Sequence, residues 1–189
     1  MSNTALLVID SQVGIIEGPT DGPVYNKDEV LKVMVQVIEK ARALGLPVIY
    51  VQDVGVGEKG SEQQDIHPAI APLPGDPVVQ KIATNSFLQT NLQETLDNFG
   101  IVHIVVIGAK TQYCIDTACR AATALGYDVT LVADAHSTTD SKVLSAAQMI
   151  AHHNQTLHGF DNIDHFVLVR NSAENIFEHK HMEYKISIR

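Results

Sequence analysis

The sequence predicts an α/β fold, a three-layer α/β/α sandwich around a central, mainly parallel, doubly wound sheet of Rossmann-like type. Three observations predict it. Short apolar runs rich in β-branched residues recur along the chain. They are apolar on both faces, as strands covered by helices on both sides must be. Amphipathic stretches with helix punctuation separate them, and right-handed crossovers turn that alternation into two helical layers over one sheet.

The elements follow in order. ALLVID, ending at Asp10, reads as the first strand. Asn26 with Glu29 makes a capping pattern before an amphipathic stretch to Leu44, which stops at Gly45 with Pro47 just beyond. PVIYVQD, ending at Asp53, is the second strand, and the stretch from Gly55 to Pro77, rich in Gly, Pro and polar residues, is a long irregular loop that reads as a wall or lid of a pocket. Thr90 with Gln93 repeats the capping pattern, and Gly100 ends that helix. IVHIVVIG, ending at Gly108, is a strand; the segment from Cys114 to Leu125 is a helix stopped by Gly126. VTLVAD, ending at Asp134, is the next strand, Lys142 to Leu157 the next helix, and HFVLV from His165 to Val169 the last strand. With no repeats, low-complexity runs or interdomain linker, residues 1–189 read as one domain, and a chain 45% hydrophobic can bury a substantial core.

The net charge of -9 is spread along the chain, which argues against nucleic acid or an anionic membrane as partner and for a small soluble molecule. The opening MSNTALLVIDSQ lacks the basic region and long apolar run of a signal peptide, and no stretch approaches the roughly 20 apolar residues of a membrane span. Cys114 and Cys119 are poorly placed for a crosslink if they share a helix start. A soluble protein of a reducing, cytoplasmic compartment is the expectation.

In an open parallel sheet, ligands bind beyond the carboxyl ends of the strands. Asp10, Gln52 and Asp53, Lys110 to Cys114, and Asp134 to Ser137 all fall there. Cys114 lies near a helix start, where the dipole and unsatisfied NH groups lower a thiol pKa and can receive an oxyanion. It reads either as a nucleophile with Asp10 as its proton acceptor or as a small buried residue, and Asp10 itself either as that acceptor or as the cap of a turn. Cys119 reads as core.

These positions carry a resemblance. GAKTQYCIDTACRAATALGYDVTLVADAHST, from Gly108 to Thr138, resembles the signature of the isochorismatase-like cysteine hydrolases; LLVIDSQ at Leu6 to Gln12 resembles their opening strand; HPAIAPLPGDPVVQK, from His67 to Lys81, resembles their approach to a lysine. The match is collinear from about Leu6 to Asn154. It implies an isochorismatase-like hydrolase fold with a catalytic triad of Asp10, Lys81 and Cys114, Asp10 acting as general base and then general acid and Lys81 holding it in place. It also implies a cis peptide between Ala109 and Lys110, the NH groups of Lys110 and Cys114 as the oxyanion hole, and a homo-oligomer, dimer or tetramer. The tail from Ser172 to Arg189, with Ile186 and Ile188, is a candidate interface.

Members that deamidate nicotinamide carry Asp-x-His and a further His as a metal site. Here Asp53 is followed by Val54 and Gly55, with His67 downstream, so the expectation is no metal and no cofactor. Members that cleave the vinyl ether of isochorismate commonly lack the cysteine, so Cys114 favours attack on an amide or related C–N carbonyl through a thioester. The alternatives are an isochorismatase-type vinyl-ether hydrolase and a noncatalytic binding protein that retains the fold. Gln12, Gln52, Asp53, Phe87, Tyr113 and His136 are candidate substrate contacts. A dehydrogenase is disfavoured because DSQVGIIEGP replaces the glycine-rich turn, and a haloacid dehalogenase-type phosphatase because Gln12 stands where a second Asp is required.

Overall fold

The computed structural model describes residues 3–19 and 22–188; the side chains of residues 186–188 lie outside that description, and with them the proposed interface residues Ile186 and Ile188. Seven strands form one sheet in the order β3-β2-β1-β4-β5-β7-β6. They are β1 (Thr4–Ile9), β2 (Val48–Asp53), β3 (Val78–Lys81), β4 (His103–Ala109), β5 (Asp128–Ser137), β6 (Asp161–Asn162) and β7 (His165–Arg170). All pairings are parallel except that of β6 with β7. The chain reversal between β1 and β4 places β1 at the switch point, where α/β sheets open a crevice.

Each strand face feeds a different core because side chains alternate. Leu6, Val8, Tyr50, Val105 and Ile107 pack with Val30, Met34, Val37 and Ile38 of the helix Lys27–Ala43. Ala5, Leu7, Ile9, Ile49, Val51 and Val106 pack with Leu92 and Leu96 of the helix Leu92–Asn98, with Ala118, Cys119 and Ala122 of the helix Asp116–Ala124, and with Leu157 at the end of the helix Ala146–Leu157. In chain order these helices are α2, α3, α4 and α5; α1 is the single turn Val13–Ile16 and α6 is His181–Ile188. Every residue of β1 is buried, and each of its four largest apolar side chains contributes about 2 kcal/mol.

Several boundaries differ from the sequence reading. Asn26 occupies the cap position of α2 but in the left-handed region with no side-chain bond, so Asp28 and Glu29 meet the helix dipole instead. α3 starts after Asn91, and Thr90 accepts from the NH of Leu92. α5 begins only at Ala146, because Ser145 and Gln148 form a reciprocal capping box. β5 runs three residues past Asp134 through a register shift opposite Val106 to Gly108, so Asp134 lies within a strand and its carboxylate accepts from Ser172. β3 and β6 were not legible as strands.

The loop from Gly55 to Pro77 is pinned. Ile66 and Ile70 are buried in the core, residue 66 bridges Gln12, and two short 3₁₀ turns, Glu62–Gln64 and Pro68–Ile70, shape it. Among the described residues no helix is long and apolar enough to cross a membrane.

Candidate active site at the carboxyl edge of the sheet

β1 ends at Ile9, and Asp10 turns the chain in the left-handed region at φ 48, a conformation Asp tolerates better than most residues. Its NH donates to the carbonyl of Val51, which fixes the turn against β2. On the other side, Gly108 of β4 pairs with Ile9 at φ 133. A Cβ there would stand 2.0 Å from the Ile9 carbonyl oxygen, so only glycine lets the two strands close beside Asp10. β3 brings the third group. Its register sets Lys81 directly beside Asp53 of β2, and the alternation along β3 buries Val79 and Lys81 while Val78 and Gln80 face out.

Lys81 is 2% exposed, and its ammonium is the hub of the site. Nζ lies 2.8 Å from Asp10 Oδ2 and 3.0 Å from Asp53 Oδ2, donates to the carbonyl of Ala83 at 3.0 Å, and stands 3.4 Å from Cys114 Sγ. Three N–H bonds face four acceptors, and the sulfur is the most distant. Two carboxylates around one ammonium leave the cluster with a net negative charge when the thiol is neutral.

Cys114 sits in a π-helical turn, Thr111–Ile115, that runs directly into α4. The peptide between Ala109 and Lys110, at the end of β4, is cis. A buried clamp holds the turn from behind. Thr111 donates to His136 Nδ1 at 2.9 Å, His136 Nε2 donates to Asn154 Oδ1 at 2.9 Å, and Asn154 donates to the carbonyl of Ala133. That chain of bonds assigns the neutral Nε2–H tautomer, and burial pushes the His136 pKa down to about 4, consistent with a neutral ring.

The same enclosure sets the acid–base balance. Burial pushes the Asp10 carboxyl up to about 6, against the downward pull of Lys81. Burial is the largest influence on Lys81 and weakens its hold on its proton, but Asp10, Cys114 and Asp53 together outweigh it and the ammonium is raised above its ordinary value. Burial, then the charge of Asp10, push the Cys114 thiol up to about 12, with Lys81 opposing. This corrects the expectation that a helix start lowers this thiol: desolvation and a neighbouring carboxylate outweigh the dipole. The resting pair is a neutral thiol beside an ionised acid.

The candidate substrate contacts divide. Gln12 is fully buried, its amide donating to the carbonyls of Asp53 and Gln64 and accepting from the NH of Asp53, so it staples the loop to the strand ends and does not face a ligand. His136 is a clamp behind the turn, and it also lines a cavity with Tyr25, Glu29, Val33 and Asp134. Gln52 donates to Gln64 and accepts from Gln80, which makes it a second tie of the loop. Asp53 touches Lys81 and the NH of Gly55. Phe87 stacks on Tyr127 at 6.2 Å and packs against the same core cluster as Cys114, and Tyr113, next to the cysteine, is 56% exposed. His67 is turned to Glu17 and the NH of Ala69, while the Asp53 carboxylate is held by Lys81. The Ala83 carbonyl on Lys81 was missed; no side-chain pattern marks a backbone acceptor.

A buried ammonium joining two carboxylates and a thiol at the switch point of a parallel sheet defines the class: an α/β protein with a polar reaction-type site on its strand ends. Residues 4–157 match the family model described as Isochorismatase domain, and the chain belongs to the isochorismatase family of hydrolases. It is 31% identical to streptothricin hydrolase of Streptomyces noursei over 140 residues, a match covering 72% of this chain and 55% of that protein. Among solved structures it resembles a putative isochorismatase hydrolase from Oleispira antarctica, with TM-score 0.83, 31% identity, 94% of this chain and 97% of that one covered. It also resembles N-carbamoylsarcosine amidase from Thermoplasma acidophilum, with TM-score 0.70, 25% identity, 90% of this chain and 97% of that one covered.

Proposed function

We propose that this protein is a cysteine-dependent hydrolase of a small amide or related C–N carbonyl compound. The observation that carries the reading is Lys81 Nζ standing 2.8 Å from Asp10 Oδ2 and 3.4 Å from Cys114 Sγ in a buried site. Relatives named as an amidase and as streptothricin hydrolase agree with it.

The reaction begins with Asp10 taking the thiol proton as Sγ attacks the substrate carbonyl carbon. Because the free thiol is held near 12, the proton leaves in concert with attack and not beforehand. Lys81 stays protonated, orients Asp10 and offsets the charge that develops on sulfur. The oxyanion rests on the NH groups of Lys110 and Cys114. The protonated Asp10 then gives its proton to the departing nitrogen as the C–N bond breaks, leaving a thioester on Cys114. Asp10 next takes a proton from water, the hydroxide attacks the thioester, and the returning sulfur recovers the proton from Asp10. An acid with pKa about 6 suits both directions of transfer near neutral pH. Tyr113, next to the cysteine and largely exposed, is the candidate for an apolar wall.

A screen of small amides, carbamoyl compounds and isochorismate, with Cys114→Ala alongside the parent, tests the assignment. Turnover of an amide or carbamoyl compound that vanishes in the variant supports it. Isochorismate cleavage that survives in the variant overturns it.

A further inference from the structure

The opposite edge of the sheet carries a second cluster of chemistry that the hydrolytic site does not use. His103 opens β4, Asp128 opens β5 and His165 opens β7, while His179 lies just before α6 and His181 is its first residue. The length of β4 puts this edge about 20 Å from the end that bears Cys114. Asp128, His179 and His181 each offer one ligand atom, and the three atoms lie within 4.8 Å of one another.

The bonding of His181 is the telling feature. Its ring is 1% exposed, and Nε2 donates to the carbonyl of Val129 at 2.8 Å. That bond fixes the proton on Nε2 and leaves the Nδ1 lone pair buried with no hydrogen-bond partner. A buried acceptor left without a partner is costly in an otherwise satisfied core. An imidazole that gives one N–H to a backbone carbonyl and keeps its other nitrogen bare is bonded as metal-binding histidines are. Beside it, Asp128 Oδ2 lies 2.6 Å from His179 Nε2, and Asp128 Oδ1 lies 3.4 Å from His165 Nδ1, a second buried ring nitrogen with no hydrogen-bond partner. His103 braces the group from beside it. Its two nitrogens are taken by Thr4 and Thr130, and its ring stacks on His179 at 4.8 Å and 4°.

We propose that Asp128, His179 and His181, completed by His165, form a structural Zn²⁺ site at the amino edge of the sheet. Three imidazoles and one carboxylate suit Zn²⁺ among the divalent ions, being too nitrogen-rich for Mg²⁺ or Ca²⁺. Tetrahedral bonds of about 2.0–2.1 Å require ligand atoms about 3.3 Å apart, so the three ligand atoms, now within 4.8 Å of one another, draw together on the ion and His165, held 3.4 Å from Asp128 Oδ1, turns to complete it. The ion joins the starts of β5 and β7 to the start of α6, so its work is to fasten the C-terminal segment to the sheet. It stands apart from the metal-free expectation for the hydrolytic site, where Asp53 and His67 are otherwise engaged.

The test uses the full chain, stripped with a chelator and titrated with ZnCl₂ by calorimetry, with Co²⁺ absorption as a report of geometry. The expected result is one equivalent of Zn²⁺, tetrahedral Co²⁺ bands, and a melting temperature raised by about 5–10 °C when free Zn²⁺ is 100 times Kd. His179→Gln, whose ring is exposed and whose fold is not at risk, weakens binding by at least ~100-fold, as does His181→Gln. Cys114→Ser leaves it unchanged. Absence of stoichiometric binding, or binding that survives His179→Gln or is lost with Cys114→Ser, overturns the assignment.

Discussion

Replacing Asp10 with Asn has opposite effects on the two reactivities of Cys114. Both Asp10 Oδ2 and Cys114 Sγ touch Lys81 Nζ, at 2.8 and 3.4 Å, so they lie at most about 6 Å apart. A like charge at that range moves a pKa by about 1–3 units. In Asp10→Asn the repulsion disappears while Lys81 remains, so the thiol falls from about 12 by that amount. At pH 8 the thiolate fraction then rises about 10- to 1000-fold. Nucleophilicity falls with basicity at a Brønsted slope of about 0.4–0.5, which leaves a net gain in disulfide exchange of about 3- to 60-fold. The assay is the rate at which Cys114 reacts with dithiodipyridine, with Cys114→Ser as blank; Cys119 is fully buried in the core and does not compete. In the proposed mechanism, hydrolysis of a true substrate by contrast collapses, because the proposed proton acceptor is gone. A thiol that becomes slower, or stays the same, in Asp10→Asn refutes the claim that this carboxylate holds the resting sulfur protonated.

Three further outcomes follow from the geometry. The plot of log kcat/KM against pH falls with unit slope below about pH 6, because Asp10 must be ionised to take the thiol proton and its pKa is raised to about 6; a profile flat down to pH 4.5 contradicts that role. Lys81→Met leaves the Asp10 carboxylate buried without its ammonium, so urea unfolding at pH 7 shows a loss of about 3–5 kcal/mol, and the loss shrinks as the pH is lowered and Asp10 is protonated. Since the folded pKa of Asp10 then lies further above its unfolded value, its ionised form opposes folding more strongly as pH rises, and a loss independent of pH counts against the pairing. Gly108→Ala drives a methyl into the Ile9 carbonyl at a φ hostile to Cβ, and a drop in melting temperature of less than about 5 °C shows that the strands can part there at little cost.

Much of this arrangement was legible in the residues because it lies where strand ends meet helix starts. Asp10 and Cys114 follow long apolar runs, and a doubly wound order sends such ends to one edge. Lys81 was harder: β3 has four residues, two of them facing out, so its apolar pattern is too short to register, and only the resemblance singled the lysine out. The burial of its ammonium beside two carboxylates depends on the β2–β3 register, which no local pattern encodes. Gln12 and His136 show how much of a side chain's engagement sequence position leaves out. A polar residue just past a strand looks like a ligand contact, yet Gln12 spends its amide on the loop and His136 spends its ring on the cysteine turn. Sequence position places a side chain at the rim but does not say whether it faces the crevice or the packing behind it. The thiol pKa failed for a similar reason, since the helix dipole is visible in sequence and the enclosure of the site is not.

Whether Cys114 carries the acyl group is read by mass spectrometry of protein quenched in acid during turnover of a small amide found in the screen. A covalent thioester gives a mass increase equal to the substrate acyl group, located on the peptide containing Cys114 and absent from Cys114→Ala. Steady turnover with no adduct on that peptide, joined by activity retained in Cys114→Ala, contradicts it.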